Sequence, residues 1–433
     1  MAKTRPSQKQ KHNASSPINK SLLNGTQVPC SNKKHKRPIP QPNPAELLEQ
    51  ATSHLQTGQP NLALPLAEQA LATLAPSPSP PSVNALPPLA LLGEICLELG
   101  DAARATHYFQ QAVSLDPEGL VPEKNGGGAE KFLWLAQLCE EGGKESVEWF
   151  ERGVEVLKRQ LGELEEQLDR RRRLGAGAGV LEELEVDIGE KRGKCADALC
   201  GIVEVYMTDL SWESTAESVC EKNITHALLL CPSNPTPLQT LASIRLSQSR
   251  LAEAKSALSR SLALWKDLPP LDPLVPDFPT RISLARLLME AEMEDDCIEV
   301  LERLVDEDDQ SVEAWYLGGW CMFLMAQKAS KSDREKEAGG HIEQEVRNLL
   351  RGSREWLGNC LQLYENLEYE DERLKGHAVE LVEGLDKVVG QDGDDERDEW
   401  EDEDEGEEGE GEKDEEDEEE YKNQDEDEKM NGT

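Results

Sequence analysis

Residues 89–117 read LALLGEICLELGDAARATHYFQQAVSLDP. Apolar side chains recur here at spacings of three and four, the period of an amphipathic helix. Leu89, Leu92, Gly93 and Cys96 mark one helix, and Ala105, Phe109 and Ala112 a second. Gly93, Ala105 and Ala112 are small, so two antiparallel helices can approach closely, with Leu92 and Phe109 filling the space between them. Gly100-Asp101 supplies the turn, and Asp116-Pro117 ends the second helix, because proline has no N–H to continue the ladder.

This spacing resembles the tetratricopeptide repeat, a helix–turn–helix unit of about 34 residues. Looser copies lie on either side of it. Leu47, Ala51, Ala63, Ala67, Ala70 and Pro76, with Gly58 in the turn, form an earlier one. Phe132, Leu135, Ala136, Cys139, Phe150 and Gly153 form a third, with a turn two residues short. A copy around Ala198–Pro232 has an overlong turn near Ser211-Trp212-Glu213. Leu238, Leu241, Ala242, Ala254, Leu258 and Ser261 form the next, entered through Pro235 and Pro237, and Leu284, Ala285, Cys297, Leu301 and Leu304 follow. Trp315, Gly318 and Gly319 pair with Trp356, Leu357 and Cys360 across a polar insert near 327–341. Residues 374–389 suit a terminal cap, since a helical stack needs a polar outer face.

The pattern predicts an all-α tetratricopeptide-repeat array, a right-handed superhelix, over residues 44–390. Two segments interrupt it. Residues 76–88, PSPSPPSVNALPP, read as a proline-rich linker. Residues 154–193 begin as a charged helix, break at Gly175-Ala176-Gly177-Ala178-Gly179 and resume. They form either an arm projecting from the array or longer helices joined at an elbow.

Charge is distributed unevenly. The 433 residues hold 46 Lys and Arg against 87 Asp and Glu, a formal net charge of -41. Residues 1–37 contain nine basic residues and no acid, whereas 391–433 contain 26 acids and four bases. Neither end has an apolar period, so a disordered basic segment (1–43) and a disordered acidic tail (391–433) are expected. Lys33-Lys34-His35-Lys36-Arg37-Pro38 fits a nuclear import signal and equally a solvated basic tail. No secretory signal core precedes it. The ten cysteines form no CxxC pair, and Cys195 and Cys200 lack a matching second pair, so no zinc site is expected and a reducing compartment fits. No apolar run reaches the roughly 18–20 residues that span a bilayer. The negative field opposes direct nucleic-acid binding and favours a partner rich in Lys and Arg.

Catalytic signatures are missing. There is no GxxxxGK[ST], no HExxH, and no histidine spaced to serve a Ser or Cys nucleophile. Gly126-Gly127-Gly128 reads as a loop before a helix. The expectation is a non-enzymatic protein without cofactor or metal.

The first helix of each pair should line the concave surface of the superhelix. With Gly93 as the packing position, Ala90, Glu94, Leu97 and Glu98 face inward. Later copies contribute Leu133, Gln137, Glu140 and Glu141, then Ile202, Val205 and Tyr206 with Glu204 and Asp209 near the rim. Further on come Ile282, Arg286, Met289 and Glu290, and finally Tyr316, Trp320 and Phe323. Carboxylates beside apolar anchors suit an extended basic segment, because carboxylates take Arg bidentately and aromatics cover the stems of basic side chains. The inner face is poor in Lys and Arg, which disfavours a clamp for an acidic C-terminal peptide.

Several blocks narrow the reading. They are Asn43–Ala51 (NPAELLEQA), Gly127–Leu138 (GGAEKFLWLAQL), Trp315–Cys321 (WYLGGWC), the basic N-terminus and the closing acidic tail. In these the chain resembles the fungal dedicated assembly chaperones of ribosomal protein L4. That resemblance implies a superhelix that captures the basic, extended internal loop of ribosomal protein L4 in its groove. It further implies that the client is held soluble through nuclear import and released to the pre-60S particle. Nuclear and cytoplasmic residence follows, with a nuclear import factor and the pre-60S particle as further partners. The alternative is a scaffold or histone-chaperone-like adaptor for another basic nuclear protein.

Overall fold

The computed structural model describes residues 43–75, 82–336 and 341–389; the basic segment before them and the acidic tail after them lie outside the described residues. Fifteen α-helices and no strand occur among these residues. Each successive pair packs as an antiparallel hairpin: α1 (Pro44–Gln56) with α2 (Pro60–Leu74), α3 (Leu86–Glu98) with α4 (Ala102–Leu115), and α5 (Glu130–Gln137) with α6 (Gly143–Arg173). Next come α7 (Ala178–Met207) with α8 (Ala216–Leu230), α9 (Pro235–Ser247) with α10 (Leu251–Ala263), and α11 (Phe278–Glu290) with α12 (Glu294–Glu307). The last pair is α13 (Val312–Lys336) with α14 (His341–Asn366), and α15 (Glu372–Val389) packs on it as the cap.

The chemistry of the second pair explains the others. The Asp101 carboxylate accepts the N–H of Arg104 at 3.0 Å and caps α4, and Asp277 and Asn234 do the same for α11 and α9. A Cβ on Gly93 would strike the Phe109 ring, which is itself fully buried. Burying one such ring is worth about 3 kcal/mol. Ala51 and Ala63, Ala242 and Ala254, and Ala285 and Cys297 repeat the twelve-residue spacing of Gly93 and Ala105, all buried. Where the second member is polar, it bonds the backbone of the first helix. Ser146 Oγ donates to the Ala136 carbonyl at 2.7 Å, Ser353 Oγ to Gly319 at 2.7 Å, and Cys297 Sγ to Ala285 at 3.4 Å.

The structure gives each of the three interruptions a form, and the first two differ from the sequence expectation. The proline-rich segment does not continue as linker to residue 88, because α3 starts at Leu86 and takes Pro87 and Pro88 into its first turn. Proline is tolerated there because the first-turn N–H groups have no intrahelical partner. The polar insert near 327–341 mostly extends α13, which stays helical to Lys336. Residues 154–193 form a helical hairpin in which α6 and α7 run on past the array. Leu161, Leu168 and Ile188 are buried along its seam, and Arg172 pairs with Glu185 at 2.6 Å across it.

The GGAEKF block forms a buried connection between the second and third pairs. Lys131 and Asp116 are 3% and 4% exposed, and their ion pair closes at 2.8 Å. Lys131 Nζ also donates to the Gly128 carbonyl, while Asp116 accepts the N–H of Leu120 and Val121. Desolvation lowers the Lys131 pKa, against the hydrogen bond and charge of Asp116. With every partner satisfied, the pair fixes the path of the loop that sets α5 against α4.

Candidate functional site

The first helices of the pairs line a continuous trough. A cavity of about 370 Å³ is bounded by Glu130, Leu133, Trp134 and Gln137 on α5, by Lys194, Asp197 and Glu204 on α7, and by Thr236 on α9. Glu204 and Thr236 are shared with a second cavity of about 470 Å³, whose walls include Gln239 and Ser243 on α9 and Thr280, Ser283 and Arg286 on α11. The trough opens sideways into a cleft of about 1020 Å³ between Gly189 and Gly193 on α7 and the loop Pro273–Asp277.

Carboxylates crowd the α3–α7 end. Glu94, Asp197 and Glu204 are open to the groove, yet protein surrounds them on their other sides. Desolvation raises the pKa of Glu94, the Glu130 charge raises it further, and the Lys194 charge pulls it back. Desolvation alone raises Glu204, and it raises Asp197 against a hydrogen bond from Asn234. No cation acts on Asp197 or Glu204, and Glu94 shares that of Lys194 with Glu130, so a cationic ligand would relieve all three. The two cations on this face are already paired: Lys194 with Glu130, and Arg286 with Glu313. Burial works against the Lys194 ammonium, but the hydrogen bond and charge of Glu130 outweigh it and its pKa is raised. The inner face is therefore less poor in basic residues than expected, although neither cation is unpartnered.

Several residues expected on the inner face lie there. Glu94 stands beside Glu130 and Lys194, and Leu133, Gln137 and Glu204 line the first cavity. Glu98 and Glu290 are exposed near the C-terminal ends of α3 and α11, clear of both cavities. Glu140 and Glu141 are not on a helical face. Helix α5 stops at Gln137, and both residues fall in the turn that Gly142 and Gly143 close with φ of 57°. Tyr206 is off the groove. It packs with Ile202 and Val205 against the core around α6 and α8, because the anchor of α7 is Val203, whose carbonyl receives Cys220 Sγ at 3.9 Å. This register turns Asp197 and Glu204 inward instead. Tyr316 and Trp320 are half-buried and held by the cap: Tyr316 Oη lies 2.7 Å from His377 Nδ1, and the Trp320 ring centroid is 5.2 Å from that of His377.

Glu130, Lys194 and Asp197 were missed as inner-face residues. Glu130 and Asp197 each stand six residues before the packing position of their helix, at Ala136 and Val203, as Thr236 does before Ala242. For Glu130 that offset is legible in the sequence, since Ala136 marks the packing position; for Asp197 it becomes visible only once Val203 is seen to be the anchor. Among the described residues no cluster of His, Cys, Asp and Glu is arranged to hold a metal ion, and no helix is long and apolar enough to cross a membrane.

The comparisons with known proteins agree with this architecture. The family model of the tetratricopeptide repeat matches residues 87–118. A relative from Emericella nidulans, named "Probable assembly chaperone of rpl4", is 51% identical over 355 residues, spanning 82% of this chain and 84% of that one. A relative of the same name from Schizosaccharomyces pombe is 34% identical over 314 residues, spanning 72% and 84%. The solved structure of "Assembly Chaperone of RpL4 (Acl4)", residues 1–338, superposes with a TM-score of 0.61 at 47% identity, covering 67% of this chain and 99% of that one. With half of the aligned residues identical across most of both chains, and the same helical superhelix beneath them, the chain belongs to the family of assembly chaperones of rpl4.

Proposed function

We propose that this chain is a dedicated chaperone of newly made ribosomal protein L4, holding the client's basic, extended loop in the concave groove by shape and charge. The role is one of binding rather than catalysis. The observation that supports it is the set of crowded carboxylates contributed by α3 and α7 to one trough, Glu94, Asp197 and Glu204, in a family named for this client. Lys and Arg of the client would replace water as partners of these carboxylates until ribosomal RNA phosphates compete for them. Delivery to the pre-60S particle, an import factor as a second partner, and residence in both cytoplasm and nucleus complete the reading. Lys33–Arg37 and the 26 acids of residues 391–433 are the sequence features that support it.

The test is the affinity for recombinant ribosomal protein L4 across a salt series. Affinity is expected to fall steeply toward about 0.5 M salt, with residual binding from the apolar wall at Leu133 and Trp134. Glu94→Gln, Glu130→Gln, Asp197→Asn and Glu204→Gln combined should weaken capture at least about tenfold at low salt, as expected for losing several charge pairs at an interface. Salt-insensitive binding, or an unaffected quadruple variant, would move the client away from this groove.

A further inference from the structure

The trough changes character at α9. Toward α3 carboxylates are the commonest polar side chains of its lining; toward α11 hydroxyls are. Thr236 and Ser243 on α9, and Thr280 and Ser283 on α11, line the 470 Å³ cavity. None of these four hydroxyls makes a hydrogen bond among the described residues, whereas their neighbour Thr240 bonds the Thr236 carbonyl at 3.2 Å. The cavity is bounded by Glu204 at one side and by Arg286, held to Glu313, at the other.

A hydroxyl donates and accepts, and it carries no charge. A set of free hydroxyls therefore matches a main chain, which offers N–H and C=O groups in alternation. It suits a Lys or Arg side chain poorly, because away from the Glu204 edge a cation would give up its hydration for uncharged partners and would approach Arg286 as well. Nor does it match a folded helix, whose backbone groups are already paired. The occupant must be continuous with whatever fills the acidic section, since Glu204 and Thr236 line both cavities.

Resting on the groove reading above, we propose that the α9–α11 section hydrogen-bonds the main chain of an extended, uncharged stretch of the same client, while the α3–α7 section takes its basic side chains. The groove thus sorts the client by polarity along its length. The affinity has two parts, one that salt screens and one that it does not.

The experiment uses the full-length protein and recombinant ribosomal protein L4, with the dissociation constant measured from low to high salt. T236V/S243A/T280V/S283A keeps side-chain shape and removes the hydroxyls. It is expected to weaken binding tenfold or more at every salt, with the slope of log affinity against log salt unchanged. E94Q/E130Q/D197N/E204Q is expected to flatten that slope. If the hydroxyl variant binds like the parent while the carboxylate variant weakens, the main-chain role is wrong and the groove reading stands. A hydroxyl variant that flattens the slope also overturns it, since those positions would then act through charge. If neither variant weakens binding, the groove reading falls and this inference with it. Thermal melts check folding, and T236V/S243A, confined to α9, replaces the quadruple variant should that melt early.

Discussion

At the scale of single residues, one backbone position recurs through the array and is filled in two ways. Seven residues after the packing position, the chain turns through positive φ at Gly58, Gly100, Ser249 and Glu292, with values of 68°, 71°, 58° and 56°. Glycine adopts this conformation freely, whereas a side chain there costs about 1–2 kcal/mol in the folded state. Glycine in turn gives up more unfolded-state freedom, about 0.5–1 kcal/mol. The Ser249 side chain makes no hydrogen bond among the described residues and is exposed, so nothing else offsets the strain. Ser249→Gly should therefore raise stability by about 0.5 kcal/mol, the difference between those two effects. In urea titration this would appear as a higher midpoint at constant m-value. A lower midpoint would mean that the turn between α9 and α10 is not strained.

At the scale of elements, the hairpin of α6 and α7 behaves as two structures joined end to end. Near the array, Phe150, Leu157, Leu199 and Val203 belong to a core shared with α8. Beyond Leu161 the two helices bury their apolar side chains against one another, with Leu168 and Ile188 as the buried positions on the distal seam and Leu164, Leu181 and Leu184 half-buried beside them, and Lys191 ties the base of the arm to Glu123. Such a unit opens locally, because few contacts tie it to the rest. Leu168→Asp places an unpaired charge in that seam. It should raise hydrogen exchange across residues 162–187 at least about tenfold while leaving α3 and α9 protected, since local opening is independent of global unfolding. Loss of protection in α3 or α9 as well would make the arm part of the common core. The same contrast explains what the sequence could disclose. Where two helices meet through small residues twelve apart, as at Gly93 and Ala105 or Ala285 and Cys297, both the pair and its inward face were legible. In the α7–α8 pair the anchor is Val203, the partner is Cys220, and the turn between is long, so no small residue marks the register. The sequence pattern therefore points Tyr206 inward and gives no sign of Asp197. Glu140 and Glu141 were misplaced because the short turn after α5 ends the helix one turn earlier than the repeat period implies.

At the scale of the whole molecule, the groove sets stability against function, and pH should separate the two. Burial raises the pKa of Glu94, Asp197 and Glu204 in the folded chain. Between the unfolded values and the raised ones, the native state holds more protons than the unfolded state. Stability therefore falls as pH rises through that window and is regained as pH drops back into it. The window begins at the ordinary carboxylate values and extends upward. Capture has the opposite sign. A Lys or Arg partner requires the ionised carboxylate, so binding must expel the extra protons and weakens as pH falls through the same window. Titration calorimetry of ribosomal protein L4 into the chain, repeated in buffers of different ionisation enthalpy, should show net proton release at mildly acidic pH and little at neutral pH. The thermal midpoint of the free chain should rise over the same acidic interval, before protonation of the ion-paired carboxylates elsewhere reverses the trend. E94Q/D197N/E204Q should abolish most of the proton release and flatten the pH dependence of affinity, because the amides cannot titrate. Proton uptake on binding, or release unchanged in that variant, would show that the client's cations are received somewhere other than on these three side chains.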